Sequence, residues 1–395
     1  MPPPSDGTRV TCIDYTHPAA AAQQILAWIE ERLDLDHVAA VERRRLRALN
    51  WQPVDHPPVT VSAPAPEPFR IYPYQEAFAD PAKMLVNELV GPGMVWGSGS
   101  PSIVNSVVLR DDFPLQIRAN YGIGIIASLF GAEIHVVADN MPWVQPIGPA
   151  ARELEQALAR GVPDLDRGLL PRVLETMAYY REALAPYPKC DRAIRITQTD
   201  LQGPFDIAAQ LWGGEIFTAF HDRPELLRDL LELIGETYVR TCRVVAAAST
   251  APVGYDCIYL HFTICRGNCL LKDDSSIMLS PRIYAEFIRP ANARVLEALG
   301  GGGIHWCGSG QHWRPEFVAT GGLHCIDWGN PEKLDLPAWQ SLLRERRLPV
   351  AQMQWDAVRF LELRPDRLFA TGAAFTVSAP DLAAGRSLLD SVVRA

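Results

Sequence analysis

The stretch LHCIDWGNPEKLDLPAWQSLLRERRLPVAQMQW, Leu323 to Trp355, contains two apolar strand patterns with a helical pattern between them. The strand patterns are LHCIDW and PVAQMQW, and PAWQSLLRER lies between them with the apolar spacing of a helix. A strand, a helix and a second strand in this order form the repeating unit of α/β proteins with a parallel sheet. This stretch therefore predicts the fold class.

The rest of the chain repeats the unit. Helical patterns such as RPELLRDLLELIGETYVRTCRVVAAA and SPRIYAEFIRPANARVLEALG lie between further strand patterns: SVVLR, LQIRANYG, EIHVVADN, AIRITQTD, CIYLHF, GIHWC and RLFATG. The glycine-rich G-x-G-x-x-G turn of an open dinucleotide-binding sheet is missing after the first strands. We therefore predict a (β/α)8 TIM barrel, whose strand ends meet at one mouth.

The segment before residue 70 has a different pattern. Residues 18–50 have helical periodicity, and the proline-rich residues 53–69 predict an extended linker on the surface. The predicted domains are an N-terminal helical extension with its linker, 1–69, and the barrel, 70–395. The length suits one barrel with such an extension.

Composition and charge exclude some classes of function. The chain is 48% hydrophobic and 21% charged, with a formal net charge of −9. Nucleic-acid binders depend on neutralising phosphates, so this charge argues against them. The one basic run, Arg43, Arg44, Arg45 and Arg47, is interpreted as a solvated helix end.

The N-terminal residues MPPPSDGTRV lack the pattern of a secretion signal, and no apolar run is long enough to span a membrane. We therefore expect a cytoplasmic protein without a membrane partner. In a reducing compartment most of the eight cysteines should be core thiols rather than disulfides.

The pattern GIHWC, Gly303 to Cys307, places a histidine and a cysteine two residues apart on a predicted strand. Side chains alternate along a strand, so His305 and Cys307 should face one side and Trp306 the other. An imidazole and a sulfur on one face are two zinc ligands. The alternative is a buried histidine beside a buried thiol.

Two further clusters contain groups that bind metals or transfer protons. In LHFTICRGNCLLKDDSS, His261, Cys265 and Cys269 precede the acidic pair Asp273 and Asp274. In LHCIDWGN, Cys325 and Asp327 share one face of the strand that follows His305. Either cluster is also compatible with core thiols and a capped loop.

Polar residues recur where the predicted strands end, and the fold would gather them at the mouth. We predict Asp200, His261 and Asp274 as catalytic residues and Arg118, Asn120, Tyr121 and Gln354 as substrate-binding residues. The remaining strand-end residues are Asp139, Cys307, Asp327 and Thr371.

Four segments resemble the uroporphyrinogen decarboxylase superfamily, which includes zinc-dependent methylcobamide:coenzyme M methyltransferases. They are QGPFDIAAQLWG (202–213), DRPELLRDLLELI (222–234), KDDSSIMLSPRIYAEFIRP (272–290) and GGIHWCG (302–308). The resemblance implies a (β/α)8 barrel. In the methyltransferase branch, an H-x-C pair and a late cysteine bind zinc, which activates a thiol toward a methyl-corrinoid.

His305 and Cys307 match the H-x-C pair of that branch, but no cysteine follows Cys325. The third ligand should then come from another strand end; Cys325 is the working choice, and Asp327 and His261 are alternatives. The arginine-rich signature of decarboxylases, P-x-W-x-M-R-Q-A-G-R, is missing from this sequence. The resemblance therefore implies the methyltransferase branch rather than true uroporphyrinogen decarboxylation.

The predicted function is transfer of a methyl group between a small-molecule substrate and a corrinoid, with a nucleophile activated by Zn²⁺. Since the sequence has no D-x-H-x-x-G motif for B12 binding, the corrinoid would be carried by a partner protein. The alternative is a metal-independent lyase or decarboxylase that acts on a small carboxylated substrate through Arg118, Asp200 and His261. A non-enzymatic binding protein on the same barrel is the third possibility.

Overall fold

The computed structural model describes residues 12–91, 101–137, 140–148, 151–250 and 256–393. Its strands are β1 (Val59–Ser62), β2 (Gln116–Arg118), β3 (Glu133–His135), β4 (Trp143–Gln145), β5 (Arg195–Thr197), β6 (Cys257–Leu260), β7 (Thr263–Arg266), β8 (Leu270–Lys272), β9 (Gly302–Trp306), β10 (Leu323–Trp328), β11 (Val350–Asp356) and β12 (Ala373–Ser378).

Helices separate most of these strands. In chain order they are α1 (Pro18–Arg32), α2 (Leu35–Leu49), α3 (Tyr74–Ala79), α4 (Pro81–Val90), α5 (Ile103–Leu109), α6 (Ile125–Leu129), α7 (Ala151–Arg160), α8 (Leu170–Leu184), α9 (Pro188–Ala193), α10 (Pro204–Trp212), α11 (Ile216–Asp222), α12 (Pro224–Ala248), α13 (Pro281–Ile283), α14 (Arg289–Ala298), α15 (Arg314–Val318), α16 (Leu336–Arg346), α17 (Ala357–Leu363), α18 (Pro365–Leu368) and α19 (Leu382–Val393). A π-helical turn, Tyr284–Ile288, joins α13 to α14.

The protein is an α/β protein with a parallel sheet of six strands in the order β1-β12-β11-β10-β9-β8. A separate parallel pair, β2 and β5, and two antiparallel pairs, β3–β4 and β6–β7, complete the strands. Within the described residues the strand ladder does not close into the predicted barrel. The pairing of the first strand with the last is nevertheless the pairing that a barrel requires.

Two carboxylates and one main-chain hydrogen bond, from Asp112 N to the Val59 carbonyl, satisfy the free edge of β1. The carboxylate of Asp112 accepts a hydrogen bond from the main-chain N of Val59 at 3.0 Å, and Asp111 accepts one from Val61 at 2.7 Å. These acceptors satisfy the strand edge that faces the segment leading into β2. The edge of β1 therefore remains hydrogen-bonded although it lacks a second neighbouring strand among the described residues.

The predicted surface linker is wrong for β1. Val59 and Val61 are only 1% exposed, and residues 59–62 pair with β12. This stretch can pair as an edge strand although prolines flank it. Val59 and Val61, unlike proline, have the amide hydrogen that hydrogen bonding along a strand requires. A domain boundary at residue 70 would separate this strand from its partner.

The basic run in α2 is only in part the solvated helix end that we expected: Arg43 and Arg47 are exposed, whereas Arg44 is half-buried and Arg45 is buried. Arg45 is 2% exposed and donates hydrogen bonds to the carbonyl of Asp112 and to the hydroxyls of Thr60 and Thr263. Arg44 is paired with Asp55 and Asp112. These arginines hold α2 against β1 and β7, a role that composition could not reveal.

Three predicted strands differ from the structure. SVVLR lies mostly in α5, because the Ser102 side chain accepts a hydrogen bond from the Asn105 main chain and so begins a helix. RLFATG precedes β12, which starts at Ala373. EIHVVADN contributes only β3, and its predicted site residue Asp139 lies outside the described residues.

The outer face of β9 and β10 packs on an aromatic cluster. Trp306 and Trp328 are buried there, with ring centroids 6.0 Å apart, and Trp313, Phe317 and Trp339 pack around them. Because side chains alternate along a strand, burying Trp306 on this face directs His305 to the opposite one. The cluster thus fixes the orientation of the site strands.

In the part of the chain that the structure describes, none of the helices has the length and apolar character needed to cross a bilayer.

Candidate functional site

The centre of the candidate site is a pair of residues on adjacent strands. His305 of β9 and Asp327 of β10 are register partners, so both side chains leave the sheet on the same face. The distance between His305 Nδ1 and Asp327 Oδ1 is 3.2 Å. His305 is 5% exposed and Asp327 is fully buried. The parallel register therefore delivers an imidazole and a carboxylate to one buried point.

His261 reaches the same carboxylate from a hairpin. It lies with Phe262 in the two-residue turn between β6 and β7, and both residues have positive φ, 53° and 65°. Such backbone angles favour glycine or asparagine in a hairpin turn, so the backbone at His261 and Phe262 is locally strained. The turn places His261 Nδ1 2.6 Å from Asp327 Oδ2. Asp327 thus lies between two imidazoles.

The two histidines beside Asp327 have pKa values shifted in opposite directions. Burial opposes the ionisation of Asp327, but attraction to His305 and His261 outweighs it and lowers the pKa of the carboxyl. For His305 burial is again outweighed, by the attraction of Asp327, and the pKa rises to about 10. Burial and repulsion by Lys272 lower the pKa of His261 to about 4. At neutral pH His261 is therefore a neutral imidazole.

The other ring nitrogen of His305 faces two further groups. Cys307 follows the end of β9 and is exposed, and its Sγ lies 3.5 Å from His305 Nε2. Asp274 follows β8, and its Oδ1 lies 3.8 Å from the same nitrogen. Asp274 Oδ1 also accepts a hydrogen bond of 2.5 Å from the main-chain N of Cys307. Sulfur, nitrogen and oxygen atoms therefore converge at the end of β9.

Buried Asp206 of α10 holds the loop that carries Asp274. It accepts hydrogen bonds from the main-chain N of Asp274 at 2.9 Å and of Ser275 at 2.8 Å. Burial and the nearby charge of Asp274 raise the pKa of Asp206 to about 6. This arrangement fixes the position of Asp274 without a contact to its side chain.

The donor set fits a zinc ion better than a hard cation. Asp274, His305 and Cys307 offer one oxygen, one nitrogen and one sulfur, all within 4.8 Å of one another. With zinc bonds of about 2.0–2.3 Å, the ligand atoms of a tetrahedral site are about 3.5 Å apart. Asp327 on the far nitrogen of His305 has the place of the carboxylate that commonly orients a zinc-bound histidine. Among the described residues, His261, His305 and Asp327 form the other such group.

Cys325, the working choice for the third ligand, lies outside both groups. It is fully buried, and its Sγ lies 3.4 Å from the carbonyl oxygen of Arg266. It shares a face with Asp327 but lies two residues earlier on β10, a rise of about 6.6 Å. The interstrand register places Asp327, and not Cys325, beside His305.

A polar pocket adjoins the imidazole pair and contains several predicted residues. Its cavity volume is only about 10 Å³, and its lining includes Arg118, Asp200, His261 and Lys272. Arg118 Nη1 lies 3.4 Å from Asp200 Oδ2, and Gln202 donates a hydrogen bond to the other oxygen of Asp200. The structure thus brings the predicted residues Arg118, Asp200 and His261 together, although they come from different parts of the chain.

Three predicted substrate-binding residues are not in the lining of this pocket. Asn120 is 4% exposed and donates a hydrogen bond to Glu88. Tyr121 is fully buried in the core with its hydroxyl 2.7 Å from that of Thr176. Gln354 is half-buried on β11, opposite Thr376. Tyr121 is therefore a core residue, because the chain turns away from the pocket after Asn120.

Lys272 was missed by the sequence predictions. It ends β8, is 5% exposed, and is the register partner of His305. The only signal was a lysine between the apolar pair Leu270 and Leu271 and the acidic pair Asp273 and Asp274. A charged residue at the end of a buried strand is unusual, so Lys272 was a detectable candidate for a functional residue.

Comparison with known proteins identifies the family of this chain. The family model for uroporphyrinogen decarboxylase (URO-D) matches residues 116–341, more than half of the chain. The matched segment includes both groups of candidate metal ligands and every pocket residue named above. No curated protein matches the chain. This match supports the interpretation that the protein is an enzyme, either a decarboxylase or a methyltransferase-like enzyme. The chain belongs to the uroporphyrinogen decarboxylase family.

Proposed function

We propose that this protein is a zinc-dependent methyltransferase that passes a methyl group between a small-molecule substrate and a corrinoid carried by a partner protein. The observation that carries the proposal is the convergence of Asp274, His305 and Cys307, with Asp327 behind the histidine. Asp274 is then a ligand rather than the proton-transfer group that the sequence predicted. The fourth position of zinc would be left for the substrate, as catalytic zinc sites require.

The protein residues would prepare the site in three ways. Asp327 orients His305 through Nδ1, so that Nε2 faces Cys307 and Asp274. Asp206 holds the Asp274 loop through two main-chain hydrogen bonds. His261, with Nδ1 directed at Asp327, is a neutral imidazole whose Nε2 can accept the hydrogen of a substrate thiol or hydroxyl. Bound zinc would supply Lewis acidity, which lowers the pKa of such a group and provides the nucleophile at neutral pH.

We also propose that the two parallel sheets are parts of one (β/α)8 barrel. Besides the pairing of β1 with β12, the segment after β5 contacts β8: Gly203 N donates to the Lys272 carbonyl at 2.7 Å, and Gln198 donates to the Asn268 carbonyl at 3.0 Å. The parallel strands β1, β2, β5 and β8 to β12 would then be the eight barrel strands. The candidate site lies at their carboxyl ends, where sites of this fold occur.

The first experiment measures zinc in protein purified without chelators. We expect close to one zinc per chain in the wild type and almost none in Cys307→Ala, with similar circular dichroism spectra, since Cys307 is exposed. The buried thiol variant Cys269→Ala is the control and should keep its zinc. A wild type that neither contains nor takes up zinc would overturn the metal site.

The second experiment tests transfer itself, with methylcobalamin as the methyl donor and 3-mercaptopropionate as the acceptor thiol. We expect zinc-dependent formation of the methyl thioether, detected by mass spectrometry, and its loss in Cys307→Ala. Zinc binding without a methyl thioether from any of a range of thiols, or a methyl ether from any of a range of alcohols, would leave the metal site and reject methyl transfer.

A metal-independent decarboxylase is the second candidate. It is favoured by the pocket that joins His261 to Arg118 and Lys272, since cations there would bind a carboxylated substrate. Release of carbon dioxide from small carboxylic acids by chelator-treated protein would support it. The same protein would then retain activity after Cys307→Ala.

A further inference from the structure

Four buried polar atoms without hydrogen-bond partners lie behind the loop that carries Asp274. They are Asp273 Oδ1, Tyr284 OH, Asn292 Oδ1 and Thr320 Oγ1, and none of them has a partner among the described residues. The four residues, which we call the Asp273 cluster, are no more than 6% exposed. Buried polar atoms of native proteins are nearly always paired, so this cluster requires a partner.

Strand geometry places Asp273 on the outer face of the sheet. Its main-chain N donates to the His305 carbonyl at 2.9 Å, so Asp273 continues the pairing of β8 with β9. Side chains alternate along a strand and Lys272 lines the polar pocket, so Asp273 faces the helices instead. There Asn292 of α14 donates from Nδ2 to Asp273 Oδ2 at 2.9 Å. The two unpaired oxygens Asp273 Oδ1 and Asn292 Oδ1 therefore belong to one hydrogen-bonded pair of side chains.

The Tyr284 hydroxyl belongs to the same cluster. Tyr284 begins the π-helical turn, and its ring stacks on Trp313 with ring centroids 4.9 Å apart. Burial raises the pKa of the hydroxyl well above its usual value; the charge of Asp273 raises it further, whereas Thr320 and Asn292 lower it. Interactions of this kind require proximity. The side chains of Asp273, Asn292 and Thr320 therefore surround the hydroxyl.

The carboxyl group of Asp273 lacks a basic partner. It makes no ion pair with a lysine or arginine in the part of the chain that the structure describes. Burial raises the pKa of Asp273 well above its usual range, and the charges of Asp206 and Asp274 raise it further. Both of those carboxylates already accept main-chain hydrogen bonds. An ionised Asp273 therefore requires a positive charge that these residues do not supply.

We propose that the Asp273 cluster binds a monovalent metal cation, Na⁺ or K⁺, through its four unpaired oxygen atoms. Hard cations prefer carboxylate, carbonyl and hydroxyl oxygens, and the cluster offers only these. One carboxylate balances one positive charge, whereas Ca²⁺ or Mg²⁺ would leave a second charge uncompensated in a buried place. The cation would join the end of β8 to α14 and to Thr320, which follows α15. This site does not depend on zinc or on methyl transfer.

A buried water molecule is the competing explanation, because water also bonds to unpaired polar atoms in protein interiors. The two explanations differ in one measurable property. A cation that binds only the folded protein stabilises it in proportion to its concentration relative to its dissociation constant. A buried water makes the stability independent of which cation is present.

The experiment measures the unfolding temperature of the full-length protein in NaCl, KCl and tetramethylammonium chloride at equal concentrations. Tetramethylammonium supplies the ionic strength but is too large for a site formed by four side chains. We expect an unfolding temperature about 2–4 °C higher in NaCl or KCl, with a shift that saturates as the salt concentration rises. The salt with the larger shift identifies the preferred ion.

Two variants locate the effect. Thr320→Val and Tyr284→Phe each remove one hydroxyl ligand and should lose most of the shift. Thr241→Val is the matched control for the first, since Thr241 is also a buried hydroxyl without a partner among the described residues. Tyr180→Phe, which removes another buried tyrosine hydroxyl, is the control for the second. Both controls should keep the shift.

Equal unfolding temperatures of the wild type in the three salts would overturn the proposal and leave a buried water as the partner of the cluster. A shift that persists in both Thr320→Val and Tyr284→Phe would place the cation elsewhere and would also overturn it. The wild-type comparison decides between cation and water even if a variant does not fold.

Discussion

The sheet that carries His305 and Asp327 and the strand pair that contributes to the pocket differ in how they hold their side chains. β9 and β10 have five and six residues, and their register places His305 beside Asp327 through main-chain pairing. β2 and β5 have three residues each, and Arg118 at the end of β2 is held mainly by side chains and loops. We infer that interstrand register fixes the positions of His305 and Asp327. Charged side chains fix the position of Arg118 in the pocket.

Asp327→Asn is expected to have the largest effect on zinc affinity. The substitution keeps the volume but removes the charge that orients His305 and His261. Loss of the partner of a zinc-bound histidine costs about 10- to 100-fold in metal affinity. Competition with a chromophoric zinc chelator measures this loss, and the exposed Asp164→Asn serves as the control. An unchanged zinc affinity would show that register alone orients His305.

A smaller effect is expected from Gly329→Ala, which follows β10. A Cβ at this position would lie 2.4 Å from Cys307 Sγ, so the sulfur would have to move. Overpacking of this kind costs about 1–3 kcal/mol, and we expect zinc affinity to fall roughly tenfold. Gly214→Ala is the matched control, since a Cβ there meets no atom within 4 Å. Equal affinities in the two variants would place Cys307 outside the metal site.

The smallest effect on zinc affinity is expected on the pocket side, where the change is instead in the pH dependence of stability. Burial raises the pKa of Glu88 from 4.5 to about 7, so the folded protein binds more protons than the unfolded chain between these values. The contribution of Glu88 to the free energy of unfolding is therefore fully present below pH 4.5 and decreases as the pH rises to 7. In Glu88→Gln this decrease, which is about 3 kcal/mol for a pKa difference of about 2.5, should disappear. Urea unfolding at pH 4.5, 6 and 7.5 measures it.

A difference between wild type and Glu88→Gln that does not change with pH would mean that Glu88 is ionised throughout the window. Arg118 would then be neutralised by Glu88 as well as by Asp200. This result would weaken the contrast between the two sides of the site.

Local patterns were informative where they depended on neighbouring residues alone. The alternation in GIHWC correctly placed His305 and Cys307 together and Trp306 on the opposite face, because the two-residue period follows from the geometry of one strand. The strand-helix-strand pattern correctly indicated an α/β protein with a parallel sheet. Positions that depend on distant residues, such as the burial of Arg45 and the pairing of β1 with β12, were wrong or missed.

The sequence by itself therefore determined the α/β class, the family, and the strand that carries His305 and leads into Cys307. The tertiary structure decided that Asp327 rather than Cys325 lies beside His305, that His261 joins them from a hairpin, and that Lys272 faces Arg118. The physical reason is that these contacts depend on the register between strands and on the packing of distant segments. Both are set by the free energy of the whole core, whereas the alternation of side chains along a strand is set by the local backbone.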